Sequence, residues 1–343
     1  MPAQISPKSS IPLVLAFLLV LGGCTSNDRL TEPPSDANPL AAAVGPYHRV
    51  DLGALPGGSV SLAVAINNSG LIAGLSLTAN GDQHAVLWRK RVIKDIGTLG
   101  GKSSRAEAMN NFGQIVGSSQ RADGKVHAFL WSKGVMTDLG TPGGSGSAAV
   151  GIDREGRVAV AGSDGSVAIW ANGVFTHLPP LAHSTGCDPT GMDPSGRVVG
   201  RCVVGQNIHA VLWRSSHVID LGSLGGFPTT ATAINASGHI VGITRGNPDI
   251  GSRPFQWYGG KMIDLTTQGA PAGLLPNAIN VDAVIAGTLV FKPGEIHAVV
   301  FQGGSTIDLG ALTPGQDSYA FGINATGDVV GHTRSHATLW TRD

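Results

Sequence analysis

At 343 residues the chain is long enough for two or three ordinary domains or for one large barrel or propeller, so length alone does not choose. Composition is more useful: 50 Gly, 13% charged and 5% aromatic residues make a chain rich in turns and poor in strong helix formers, which favours an all-β chain. Lys plus Arg and Asp plus Glu balance at 23 each, so no net field gathers nucleic acid, and nucleic acid is not an expected partner.

Residues 1–23 read as an export signal. Lys8 supplies one positive charge, Ile11 to Leu21 form an apolar run, and the run ends in Leu21-Gly22-Gly23-Cys24. The run is shorter than the roughly 20 residues that a membrane-spanning helix needs. Its end resembles a bacterial lipobox, which implies cleavage before Cys24, a lipid on its sulfur and a membrane partner through that anchor. An ordinary signal peptide followed by an incidental Cys is the alternative. By analogy, Thr25 after Cys24 implies sorting to the outer membrane; the side on which the protein faces is not encoded. Residues 24–45, with Pro33, Pro34 and Pro39 among small polar residues, have too little apolar surface to offset ordering entropy and are expected to be a flexible tether.

From residue 46 to 343 the chain repeats. Aromatic-ended segments finish at Trp88, Trp131, Trp170, Trp213, Trp257, Phe301 and Trp340, a period of about 40 residues that matches one four-stranded propeller blade. In each unit a first strand of small residues (Ser104 to Met109, Thr230 to Ile234) leads into an Asn/Asp-x-x-Gly turn such as Asn110 to Gly113 or Asp153 to Gly156. The sixth copy puts Ala283 where Gly is expected. A second strand (Gln114 to Ser119), the aromatic-ended third strand and a fourth strand ending in Asp-Leu/Ile-Gly complete the unit. One fourth strand ends instead in Asp264-Leu265-Thr266, and another in His177-Leu178-Pro179. The last unit stops after its third strand, whereas Tyr47 to Gly53 is a fourth strand with no third strand before it. The expected fold is therefore an all-β, seven-bladed β-propeller in which the N-terminal strand closes the C-terminal blade and removes the unpaired edges.

The motifs DIGTLGG (Asp95 to Gly101), AMNNFGQIVGSS (Ala108 to Ser119) and HAFLW (His127 to Trp131) resemble the bacterial extracellular HAF repeat family over residues 51 to 340. The resemblance implies an exported protein built of repeats and carries over no catalytic or binding residue.

Five units begin the third strand with His: His84, His127, His209, His297 and His336, with Ser166 and Arg253 in two others. Equivalent positions on different blades stand too far apart for a shared metal, so each His is expected to bond neighbouring backbone or the Asp of the adjacent strand. Singular carboxylates are scarce: Glu107 and Glu155 are the pair considered for a shared surface. No catalytic, metal or cofactor-binding residue is assigned, and no cofactor is expected. Pairing Met192 with Arg197 across the Asp193 to Gly196 turn puts Cys187 opposite Cys202, close enough for a disulfide in an exported protein. The functional expectation is a monomeric, non-catalytic binding or scaffold propeller of the cell envelope with a protein or glycan ligand. The alternative is a polysaccharide-acting enzyme with its site in the central channel or around Leu178 to Gly191.

Overall fold

The computed structural model describes residues 47–246, 251–292 and 295–342; the expected leader, Cys24 and the tether lie outside the described residues. The chain folds into seven antiparallel sheets of four strands each. Six follow one another at 61–95, 100–140, 147–177, 184–220, 229–264 and 274–308, and are numbered here as blades 1 to 6. Blade 7 joins Ser318–Ile323, Val329–Thr333 and His336–Arg342 to Tyr47–Asp51, which is its outer strand. Tyr47 pairs with Arg342 and Asp51 with Thr338, so the N-terminal strand closes the last blade as expected. The innermost strands touch in an unbroken ring, blade 7 against blade 1 included.

Apolar burial runs between blades. Val330 and Ala337 of blade 7, for instance, pack with Ala63, Val86 and Trp88 of blade 1 in one cluster. Trp88, Trp213 and Trp340 are fully buried. Their indole N–H groups donate to connection carbonyls that follow the preceding blade's outer strand, at Leu52 (2.9 Å), Pro179 (2.8 Å) and Gly310 (3.1 Å). At these three seams the aromatic end of the third strand both fills the seam and satisfies the loop crossing it.

Crowding near the axis explains two sequence features. The second strand reads Ile-Val-Gly or Val-Val-Gly because a Cβ at Gly117 or Gly331 would overlap the innermost strand's carbonyl oxygen, that of Arg105 or Tyr319. The innermost strand carries a β-bulge at the same place in all seven blades. The bulge corrects one expected pairing. Met192 faces Val198 rather than Arg197, and the extra residue Thr190 shifts the register back so that Cys187 faces Cys202. Those two cysteines form a disulfide. Bulge residues also reach sideways: Thr190 Oγ1 donates to Ala231 O (2.8 Å), Thr232 Oγ1 to Pro276 O (2.7 Å) and Asn277 Nδ2 to Ala320 O (2.8 Å). A carbonyl displaced by one blade's bulge is satisfied by its neighbour.

Candidate functional site

The repeated polar residues are structural, and their departures from the repeat point to the site. His84 bonds Asp95 (2.7 Å), His127 Asp138 (2.8 Å), His209 Asp220 (2.7 Å), His297 Asp308 (2.6 Å) and His336 Asp51 (2.8 Å). Blade 5 replaces the imidazole with Arg253, whose guanidinium meets Asp264 at 3.1 Å. The carboxylate's other oxygen accepts the N–H two residues on, as Asp95 does from Gly97 (2.8 Å), and this closes the turn that ends the outer strand. Blade 3 has Ser166 and His177 at these two positions and lacks the pair.

A second repeated device latches one blade to the next. Ala85 N–H donates to Ser104 Oγ (2.8 Å), which donates in turn to Gly97 O (2.6 Å). The same latch joins Ala128 to Ser147, Ala298 to Ser318 and Ala337 to Ser61. Between blades 5 and 6 both halves are replaced together: Pro254 has no N–H to donate, and Leu274 stands at the hydroxyl position. Between blades 3 and 4 the match fails. Val167 keeps its N–H, but the hydroxyl position is Cys187, whose sulfur is bound to Cys202.

The third device is the Asn/Asp-x-x-Gly turn, which does more than the turn chemistry read from sequence. Asn67 Nδ2 donates to Asn110 O (3.2 Å), Asn110 Nδ2 to Asp153 O (3.0 Å), Asn235 Nδ2 to Asn280 O (2.7 Å) and Asn280 Nδ2 to Asn324 O (3.2 Å). Asp153 and Asp193 cannot donate, and an arginine four residues on takes over. Arg157 Nε and Arg197 Nε each meet their aspartate at 2.6 Å, and their outer nitrogens reach Ser195 O (3.2 Å) and Ala236 O (2.9 Å) in the next blade. The Asp153 hydrogen bond raises the pKa of Arg157 further above its usual value.

Each of the three devices departs from the repeat at the seam between blades 3 and 4, and two clefts open there. The larger, of about 590 Å³, lies on the turn side and is walled by Ile169, Leu178 and Met192, with Arg157, Arg197 and Arg214 around it. It opens at Ala171, the residue after Trp170: in the other units that position holds Arg89, Ser132, Arg214, Tyr258, Gln302 and Thr341. The smaller cleft, of about 380 Å³, lies on the opposite side and is lined by Asp164, His177, Pro179 and Cys187. Leu178 and Trp213 wall both. Of the stretch singled out from sequence, Leu178 to Gly191, Leu178 lines both clefts and Pro179, Pro180, Ser184 and Cys187 line the smaller one, while Ala171 and Arg214 were missed. A position-by-position comparison of the repeats is the signal that exposes them.

Glu107 and Glu155 are not brought together. Glu107 sits on the innermost strand of blade 2 beside Arg105 (2.5 Å), where burial pushes its carboxyl above the usual range, and Glu155 is an exposed turn residue 3.5 Å from Arg157. Among the described residues no three His, Cys, Asp or Glu side chains group as a metal site requires.

The chain matches no family model and no curated protein. Solved structures similar to it include the β-propeller domain of the Trilobed protease from Pyrococcus furiosus (TM-score 0.58, 9% identity, covering 83% of this chain and 96% of that one). A streptogramin B lyase (TM-score 0.57, 12% identity, 87% and 98% covered) and YCF48 bound to D1 peptide (TM-score 0.53, 12% identity, 87% and 98% covered) are also similar. The protease propeller is described as having an open velcro topology, whereas here the N-terminal strand completes the last blade. At these identities the likeness extends to the fold alone: the chain is a closed, seven-bladed β-propeller.

Proposed function

We propose that the chain is a non-catalytic binding or scaffold propeller of the bacterial cell envelope that seats its ligand in the larger cleft between blades 3 and 4. The concentration of breaks in the repeat around this seam carries this reading. Two Asp–Arg turns in place of Asn and a small residue at Ala171 line the larger cleft, and the missing His–Asp pair and missing hydroxyl latch lie at the smaller cleft on the other side of the same seam. Repeat proteins present their singular residues where they bind. Elsewhere the groups that could do chemistry are occupied: the repeated His and Asp bond each other, and Glu107 and Asp188 are ion-paired to Arg105 and Arg201. Asp164 is the one carboxylate lining either cleft, where glycoside hydrolysis takes two. The disulfide accords with an oxidising compartment, and a lipid on Cys24 would hold the propeller at a membrane through the 24–45 tether.

The test is differential capture. The mature chain and its Ala171→Tyr variant are each immobilised and exposed to envelope extract. Tyr is tolerated at this position in blade 5, so the variant is expected to fold with the cleft filled. Partners retained by the parent and lost by the variant support the reading. Equal capture by both, or turnover of an envelope substrate by the purified chain, refutes it.

A further inference from the structure

The charge and walls of the larger cleft narrow what it takes, resting on the reading that this cleft is the binding seat. Three guanidiniums surround it, but two are already balanced. Arg157 and Arg197 are tied to Asp153 and Asp193, both fully buried. Arg214, exposed at the end of its strand, has no hydrogen-bond or ion-pair partner among the described residues and is not one of the turn arginines. One unbalanced positive charge thus faces a cleft whose wall combines apolar Ile169, Leu178, Met192 and Ala171 with the neutral polar residues Thr176, Ser195 and Ser215. A single positive charge matches a single negative one better than a dianion, because each further anionic charge entering a half-enclosed, partly apolar site would be desolvated without a cationic partner. Flat sugar faces stack on open aromatic rings, and the one aromatic ring in this cleft is not open. Trp213 is 1% exposed, with its N–H spent on Pro179.

We infer that the cleft binds a single carboxylate carried on an apolar body, with Arg214 as the residue that receives the carboxylate. A peptide chain ending in apolar residues supplies that chemistry, and so does a free fatty acid. The guanidinium fork accepts both carboxylate oxygens while the apolar body lies along Ile169, Leu178 and Met192. A cleft of about 590 Å³ accommodates two or three such side chains.

Calorimetric titration decides this, using the disulfide-bonded chain from residue 24 onward with Cys24→Ser, and three probes: the tripeptide Ala-Leu-Leu with a free carboxyl terminus, the same peptide amidated, and octanoate. The parent is expected to bind the free-acid peptide at least tenfold more tightly than the amide. Arg214→Gln, which installs the residue blade 6 carries at this position, is expected to weaken binding about tenfold or more, as loss of a charge-assisted hydrogen bond does. Octanoate binding with the same Arg214 dependence, and no peptide binding, supports the carboxylate assignment and names the acyl source. Absence of Arg214-dependent binding by any probe overturns the assignment. If Ala171→Tyr still abolishes capture from extract in that case, the seat stands and only its ligand class falls; if it does not, both fall.

Discussion

Replacing the disulfide tests whether position in the repeat dictates chemistry. Cys187 and Cys202 occupy the places held by Ser61 and Ser76 in blade 1 and by Ser104 and Ser119 in blade 2. The cross-link closes a loop of 15 residues, which in the chain-entropy picture contributes about 3 kcal/mol. A double alanine variant is expected to lose that amount. A double serine variant loses the same entropy term but supplies the hydroxyl that Val167 N–H lacks, regaining about 1 kcal/mol for one buried neutral hydrogen bond. It is therefore expected to be less stable than the parent by about 2 kcal/mol and more stable than the alanine pair by about 1 kcal/mol. Urea unfolding of all three proteins, with equal denaturant slopes, reads the difference. A serine pair no more stable than the alanine pair would refute the latch and the alignment of blades on which it rests.

The turns of blades 2 and 3 should be interchangeable. Arg157→Ala strands the fully buried Asp153 and is expected to cost about 3 kcal/mol, whereas Asp153→Asn with Arg157→Gln copies the Asn110–Gln114 pair of blade 2 (2.7 Å) and should return to within about 1 kcal/mol of the parent by the same unfolding assay. Ala283 holds a left-handed φ of 59° where the other turns have Gly, so Ala283→Gly is expected to stabilise by about 1 kcal/mol and raise the melting temperature; no rise would mean that the turn carries no strain. Burial lowers the pKa of His332, stacked 4.5 Å from Tyr319, to about 4. Because the folded pKa lies below the unfolded value, this contribution to stability is whole above about pH 6.5 and is lost as pH falls toward 4, by on the order of 3 kcal/mol. His332→Phe should remove that part of the slope in unfolding measured from pH 7.5 to 4, and an unchanged slope would assign the pH dependence elsewhere.

Blade number, closure and disulfide were legible because each follows from a period or a register. Seven aromatic-ended segments count the blades, and the orphan strand Tyr47–Asp51 answers the strand missing after Arg342. The His–Asp bond was legible too, since both residues recur at a fixed offset. The bulge was not, because it inserts a residue without any change in composition, and the expected Met192–Arg197 pairing missed it. The inter-blade reach of the turn asparagines was hidden for a different reason: Asn suffices for the turn itself, so its second bond leaves no extra mark except where Asp brings Arg157 or Arg197 with it. The cleft was hardest to see. It depends on Ala171, an unremarkable residue whose meaning lies in the larger residues at most equivalent positions.

Hydrogen exchange of the propeller, alone and with a partner captured by the parent but not by Ala171→Tyr, tests the placement of the binding seat most directly. New protection is expected in the segments that line the larger cleft, around residues 169–178, 192–197 and 213–215, with the amides of blades 1, 6 and 7 unchanged. Protection centred on those distant blades, or on the opposite mouth of the channel, would contradict a ligand seat between blades 3 and 4.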